Sequence, residues 1–313
     1  MDQHIQVLTK AILGRAPRGV RRCFAVLAAL LLTAAPALAA SSPAAPRVIE
    51  LWPDGSPNNP AGGPRPTMEI YAPFVPEHAQ PATIVICPGG GYSGLSPYER
   101  LFAEFFRGLG YTAVVVNYRV APNRHPAPFA DATRAIRLLR ANAKEWKIPA
   151  DRLALMGGSA GGHLAALVGT RPDFYRDPAD DLAATIPARP DRLILAYPVI
   201  SAVNPSNKSR SFERLIGLDA PLALREAVSV EHHVDARTPP VFIFHAADDP
   251  LVGVEQSLVF AQACWAAKVP AELHVFPRGG HGRLFAYAAD VSPRWRSLLQ
   301  DWLAAWIAAP VSP

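Results

Sequence analysis

Gly157-Gly158-Ser159-Ala160-Gly161 fits the pattern G-x-S-x-G. A buried-strand pattern, Leu153–Met156, precedes it, and a stretch rich in small residues, Ala160–Gly169, follows it. In that setting the glycines allow a sharp strand-to-helix elbow that lifts the serine hydroxyl above a sheet edge. A hydroxyl is a weak nucleophile until a base takes its proton. His78 and His125 precede the serine, and His163 sits on the elbow's own helix. His232 and His233 fall in a polar segment, and His245 and His274 lie inside strand patterns. His281, in Gly279-Gly280-His281-Gly282 just past the last strand pattern, is the expected base. An acid is expected after the preceding strand, where Val241–His245 runs into Ala246-Ala247-Asp248-Asp249-Pro250. Either aspartate could orient the imidazole.

Attack on a carbonyl creates an oxyanion, which needs preorganised donors. Pro88-Gly89-Gly90-Gly91-Tyr92 follows the apolar run Thr83–Cys87. Three glycines let the backbone approach a substrate without Cβ clashes. The expected donors are the amides of Gly90, Gly91 and Ala160. The triple glycine lacks the G-x-G-x-x-G spacing of a dinucleotide site, and no Cys/His cluster has metal-ligand spacing.

These loops need a scaffold. Eight short apolar runs read as strands: Val48–Leu51, Met68–Tyr71, Thr83–Cys87, Thr112–Val116, Leu153–Met156, Leu193–Tyr197, Val241–His245 and Leu273–Phe276. Helical patterns alternate with them at Tyr98–Gly108, Asp131–Trp146, Ala160–Gly169, Val254–Ala267 and Pro293–Ile307. Asp131 is placed to favour a helix N-terminus. The alternation predicts an α/β fold with a mostly parallel eight-stranded sheet and helices on both faces. Residues 198–240 are too long for a plain connection. They read as a small cap-like insertion after the sixth strand, with a helix near Arg210–Val228. Trp146, Trp265, Trp295, Trp302 and Trp306 lie on helical patterns and are expected in the core; Trp52 is left open.

The chain has 313 residues, half of them hydrophobic, and a formal charge of +5. Residues 1–39 hold five basic residues and one acid, so the remainder carries 26 basic and 25 acidic residues. That near-neutral balance leaves no basic patch for nucleic acid. Arg15 to Arg22 is a basic stretch, followed by the uncharged run Cys23–Ala40 with Pro36 and Ala37-Leu38-Ala39 near its end. Residues 1–39 are therefore expected to be a signal peptide, cleaved after Ala39, leaving 40–313 as one secreted or periplasmic catalytic domain with no stable membrane association. Cys87 and Cys264 are expected as buried free thiols.

With these residues in view, the chain resembles the α/β-hydrolase superfamily, and within it the secreted acetyl-xylan esterases and feruloyl-esterase-like proteins. The resemblance covers residues 48–308. It rests on Leu51-Trp52-Pro53, Pro88-Gly89-Gly90-Gly91-Tyr92, Gly158-Ser159-Ala160-Gly161-Gly162-His163-Leu164-Ala165, His245 with Asp248-Asp249-Pro250, and Gly279-Gly280-His281-Gly282. It implies Asp249 as the acid, with Asp248 anchoring the turn. It also implies a serine carboxylesterase acting on short acyl groups, acetyl above all, of plant-polysaccharide fragments such as xylo-oligosaccharides, with no metal or organic cofactor. Two departures stand out. Gly253 follows Val252 where such esterases usually carry proline, implying a looser loop, and Arg283 follows His281-Gly282 where an aromatic or apolar residue is common. Other readings are a general short-chain esterase of hormone-sensitive-lipase type, against which Pro88 stands in place of histidine, an amidase or peptidase on the same fold, and a non-catalytic binding protein.

Overall fold

The computed structural model describes residues 45–56, 63–282 and 294–310. All of them fall in one compact unit, Ala45–Pro313. The leader 1–39 with its cleavage point after Ala39, and Arg283, lie outside the described residues. The strands are β1 (Arg47–Glu50), β2 (Thr67–Tyr71), β3 (Thr83–Cys87), β4 (Thr112–Asn117), β5 (Leu153–Gly158), β6 (Arg192–Ala196), β7 (Val241–Ala246) and β8 (Ala271–Phe276). They form one sheet in the order β1-β2-β4-β3-β5-β6-β7-β8. β1/β2 and β2/β4 pair antiparallel, and every later pair is parallel.

Alternate residues of the central strands feed two separate cores. Val85, Leu155, Leu193, Val241 and Ile243 face one side, while Ile84, Ile86, Met156, Ile194, Phe242 and Phe244 face the other. Strands buried on both faces must read as continuous apolar runs, which is why these segments stood out. The first core is covered by α2 (Ala127–Ala141), α4 (Ala160–Thr170) and α7 (Glu255–Ala266), the second by α1 (Glu99–Gly108) and α8 (Arg294–Ala308). Short α3 (Ala143–Trp146) extends α2 after a break at Asn142. Both Cys87 and Cys264 are buried free thiols.

Three expectations need correction. Asp131 does not serve a helix N-terminus, because α2 begins at Ala127 and places Asp131 a full turn inside the helix. Asp131 is fully buried instead. It accepts from Trp52 Nε1 at 2.7 Å, from the Arg119 amide at 2.8 Å and from the Arg119 guanidinium at 2.8 and 2.9 Å. The single helix expected near Arg210–Val228 is two short ones, α5 (Ser211–Ile216) and α6 (Leu222–Ala227). Gly217 at φ 96° ends the first, and Pro221 precedes the second. Trp265 is 51% exposed. The buried stripe of α7 runs through Phe260, Ala261 and Cys264, so its neighbour Trp265 points away and donates its indole N–H to Ala271 O at 3.0 Å. Trp52, left open in sequence, is buried.

The Arg119–Asp131 pair joins the segment after β4 to α2 where neither charge meets water. Removing one partner strands the other. Asp131→Ala is expected to cost about 3–5 kcal/mol, read as a lower midpoint in urea unfolding.

Candidate active site

Ser159 sits between β5 and α4 at φ 54° and ψ −122°. Few residues other than glycine adopt a positive φ, and such strain persists only where the surroundings enforce it. Here they do. A Cβ on Gly157 would come within 2.1 Å of Gly161 O, and one on Gly161 within 2.1 Å of Cys87 O. The bare backbones therefore close the elbow against the end of β3. Ser159 itself is buried to 7% exposure.

The structure brings the three expected side chains together. His281 Nε2 lies 3.0 Å from Ser159 Oγ, and His281 Nδ1 lies 2.8 Å from Asp249 Oδ2. Asp249 follows β7 and His281 follows β8, so neighbouring parallel strands deliver both from the same sheet edge. With a carboxylate on Nδ1, that nitrogen holds the proton and Nε2 is left to accept from the serine hydroxyl. Burial alone would raise the Asp249 carboxyl. Hydrogen bonds from His245, His281 and the Val252 amide outweigh it and hold the carboxyl well below the usual carboxylate range.

Asp249 has a second task. Its Oδ1 accepts from the amides of Leu251 and Val252, each at 2.9 Å, and so closes its own turn. Asp248, expected to anchor that turn, instead accepts from the Gly280 amide at 2.7 Å and ties the histidine loop to the acid loop. Gly253 does not loosen its loop either. Its amide donates to Ser206 O at 3.0 Å, a bond that proline could not make.

Gly90 and Gly91 adopt φ 121° and 61°. A Cβ on Gly90 would sit 2.2 Å from Gly94 O, so the hairpin closes only around glycine. Among the described residues, no intramolecular acceptor takes the amides of Gly90, Gly91 or Ala160. Hydrogen bonds hold the loop from several sides. Tyr118 Oη donates to Pro88 O at 2.5 Å, the Gly89 amide donates to Glu99 Oε1 at 2.9 Å, and Arg214 Nη1 of α5 donates to Gly91 O at 3.3 Å. His163 points into the interior, bonding Tyr92 Oη at 2.7 Å and Val228 O at 2.8 Å. It pins the oxyanion segment to the insertion and is not part of the serine's relay.

Sequence reasoning passed over three residues. His245, taken as a core or edge residue, is fully buried, with Nε2 at 3.4 Å from Asp249 Oδ2 and 2.9 Å from Val252 O. Its Nδ1 accepts from Ser257 Oγ at 2.7 Å, so Nε2 carries the proton and steadies the acid. Tyr197, at φ 35°, packs its ring edge-on to His281 with centroids 4.8 Å apart. Burial above all, with the nearby Asp249 charge, pushes its phenol well above the ordinary value, so it stays neutral. Glu99, the first residue of α1, stands in no motif that would single it out.

A family model, BD-FAE, matches residues 68–264. The chain belongs to the BD-FAE family. Endo-1,4-beta-xylanase B of Butyrivibrio fibrisolvens is 35% identical to this BD-FAE member over 204 residues, which is 64% of this chain and 32% of that protein. Acetylxylan esterase of Xylanibacter ruminicola is 30% identical over 237 residues, 74% of this chain and 47% of the relative. The chain thus spans less than half the length of either curated relative. The acetyl ester-xyloside bifunctional hydrolase of Caldicellulosiruptor lactoaceticus superposes with a TM-score of 0.74 at 36% identity, covering 84% of this chain and 98% of that one. The eight-stranded sheet of this BD-FAE protein is an α/β-hydrolase fold. The matched segment contains Ser159 and Asp249 and ends before His281, which is placed by β8.

Because the Asp249 carboxyl sits lower in the folded chain than in the unfolded one, the native state there binds fewer protons. That stability is present above about pH 4, the unfolded aspartate value, and is lost as pH falls below it. Thermal melts in acid should show the wild type losing stability over that range and Asp249→Asn, weaker at neutral pH, losing less.

Proposed function

We propose that the chain is a serine carboxylesterase that removes short acyl groups, acetyl above all, from xylan-derived oligosaccharides. The observation that carries this reading is the His281 bridge, 3.0 Å to Ser159 Oγ and 2.8 Å to Asp249, beside amides that no protein group occupies among the described residues. The xylan assignment draws on what the relatives are named for: one is an acetylxylan esterase, and the structural neighbour acts on acetyl esters and xylosides.

In this mechanism His281 Nε2 takes the Ser159 proton as Oγ attacks the ester carbonyl. The negative oxygen of the tetrahedral intermediate accepts from the amides of Gly90, Gly91 and Ala160, the last at the positive end of α4. Each such donor contributes on the order of 3 kcal/mol to lowering the barrier. His281, now an imidazolium steadied by Asp249, gives its proton to the departing sugar oxygen, and the C–O bond breaks. A water molecule then loses a proton to Nε2, attacks the acyl-serine, and regenerates the hydroxyl as the acid leaves. Every proton is accounted for by His281 and water, and no step calls on a metal or organic cofactor. Residues 1–39 act as an export signal in this reading, which places the enzyme in the periplasm or outside the cell, where polysaccharide fragments are met.

The test is hydrolysis of p-nitrophenyl acetate, p-nitrophenyl octanoate, acetylated xylo-oligosaccharide and methyl ferulate by the chain from Ala40 and by Ser159→Ala. Acetate release from the oligosaccharide should fall by about 10⁵-fold in the mutant. Activity on the p-nitrophenyl esters alone would leave a general esterase. Silence on all four from folded protein would end the esterase reading.

A further inference from the structure

We propose that Glu99 is a positioning residue of the oxyanion loop and that it works as an uncharged acid. This rests on the esterase reading and adds a group to its machinery. Glu99 opens α1 and is 3% exposed. Its Oε1 accepts the Gly89 amide at 2.9 Å. Its Oε2 is buried and, among the described residues, has no hydrogen-bond partner. A Cβ on Gly89 would lie 3.1 Å from Oε1 and 3.5 Å from Ser159 Cβ, so one glycine's width separates this carboxyl from the nucleophile.

The placement explains the bond. Fixing the Gly89 amide fixes the peptide immediately upstream of Gly90 and Gly91, whose amides the reaction needs. The same placement makes a negative charge costly. A carboxylate here would keep one oxygen away from water with nothing to solvate it, and would repel the charge that grows on a substrate oxygen held by the same loop. The neutral acid keeps Oε1 as an acceptor and removes both penalties.

The surroundings agree. Burial raises the Glu99 carboxyl above its ordinary value and outweighs the lowering effect of the Gly89 amide bond. The elements packed on α1 bring Glu69 and Tyr71 from β2, Cys87 from β3, Tyr118 just past β4, and Arg294, Arg296 and Asp301 from α8. On α1 itself stand Arg100, Glu104 and Arg107, and the active-site side brings Tyr197, with His281 and Asp249 beyond it. Glu69 is engaged with Arg100 at 2.5 Å. Burial pushes the Cys87 thiol up to about 12 and the phenols of Tyr118 and Tyr197 well above their usual value, so these neighbours stay neutral. No ion pair joins Glu99 to a cation among the described residues. With Glu99 neutral when active, the rate falls as pH rises through its raised pKa.

The experiment compares wild type, Glu99→Gln and Glu99→Leu, taking kcat and KM on p-nitrophenyl acetate from about pH 5 to about pH 9. It adds infrared spectra of wild type and E99Q in the Ser159→Ala background, which need no turnover. E99Q, a neutral side chain with the same acceptor, should keep kcat within about threefold near pH 6 and lose the alkaline decline of the wild type. E99L should lower kcat by about tenfold to a hundredfold with KM within about twofold. The spectrum should show the carbonyl stretch of a buried protonated carboxyl that E99Q lacks. The proposal is overturned if E99Q falls as far as E99L, if its alkaline decline matches the wild type, if E99L keeps full kcat, or if the infrared band is absent. A band present in a chain that hydrolyses no ester would count against the esterase reading and not against the protonation of Glu99.

Discussion

The backbone of Ser159 is held in a conformation that residues with a side chain avoid, and the neighbouring chain has no room for any other. Gly157 and Gly161 lack the atoms that would collide with Gly161 O and Cys87 O, so α4 comes down directly onto the end of β3. That contact does two things at once. It forces the turn that presents the hydroxyl, and it sets the first amides of α4 beside the loop that leaves β3. Ser159 and the candidate oxyanion amides are therefore located by one close approach of two backbones, not by a set of separately tuned side chains. Steric constraints of this kind are stiff, because nothing in a close-packed interior yields cheaply.

Around that fixed point the loops are fastened to one another more than to the sheet. Asp249 closes its own turn and holds His281; Asp248 reaches across to Gly280; His245 backs Asp249 from inside; Glu99 and Tyr118 grip the Gly89 peptide and Pro88. Apart from exposed Asp248 and partly buried His281, these side chains are buried, where an unmade bond is expensive. The result is a site whose geometry is set before a ligand arrives, which is what stabilising a transient oxyanion requires.

Much of this was readable in advance because it is written in local patterns. Strands buried on both faces must be apolar throughout, and the runs of β3 to β7 are legible for that reason. The elbow, the triple glycine and the glycine-flanked His281 are all legible because glycine at those points has no substitute. What escaped depends on contacts that no spacing rule reveals. Asp131 looked like a helix-start residue because no spacing rule reveals Arg119 and Trp52 as its partners. Trp265 looked like core because a helical pattern does not say on which side the neighbouring strand ends. His245 lies within a strand pattern, and only the three-dimensional path of the Asp249 turn brings it to the carboxylate. Gly253 read as a loss of stiffness, since the value of its amide depends on Ser206 being there to receive it.

The insertion between β6 and β7 is bonded to both halves of the site: Arg214 reaches Gly91 O on the oxyanion side, and Ser206 O receives Gly253 on the acid side. Such a segment is not an interchangeable attachment. Protein engineers who swap or randomise residues 198–240 to redirect selectivity would be editing the supports of the reaction centre in the same stroke. A change in this segment therefore shifts the anchors of the Gly91 loop and of the Asp249 turn together.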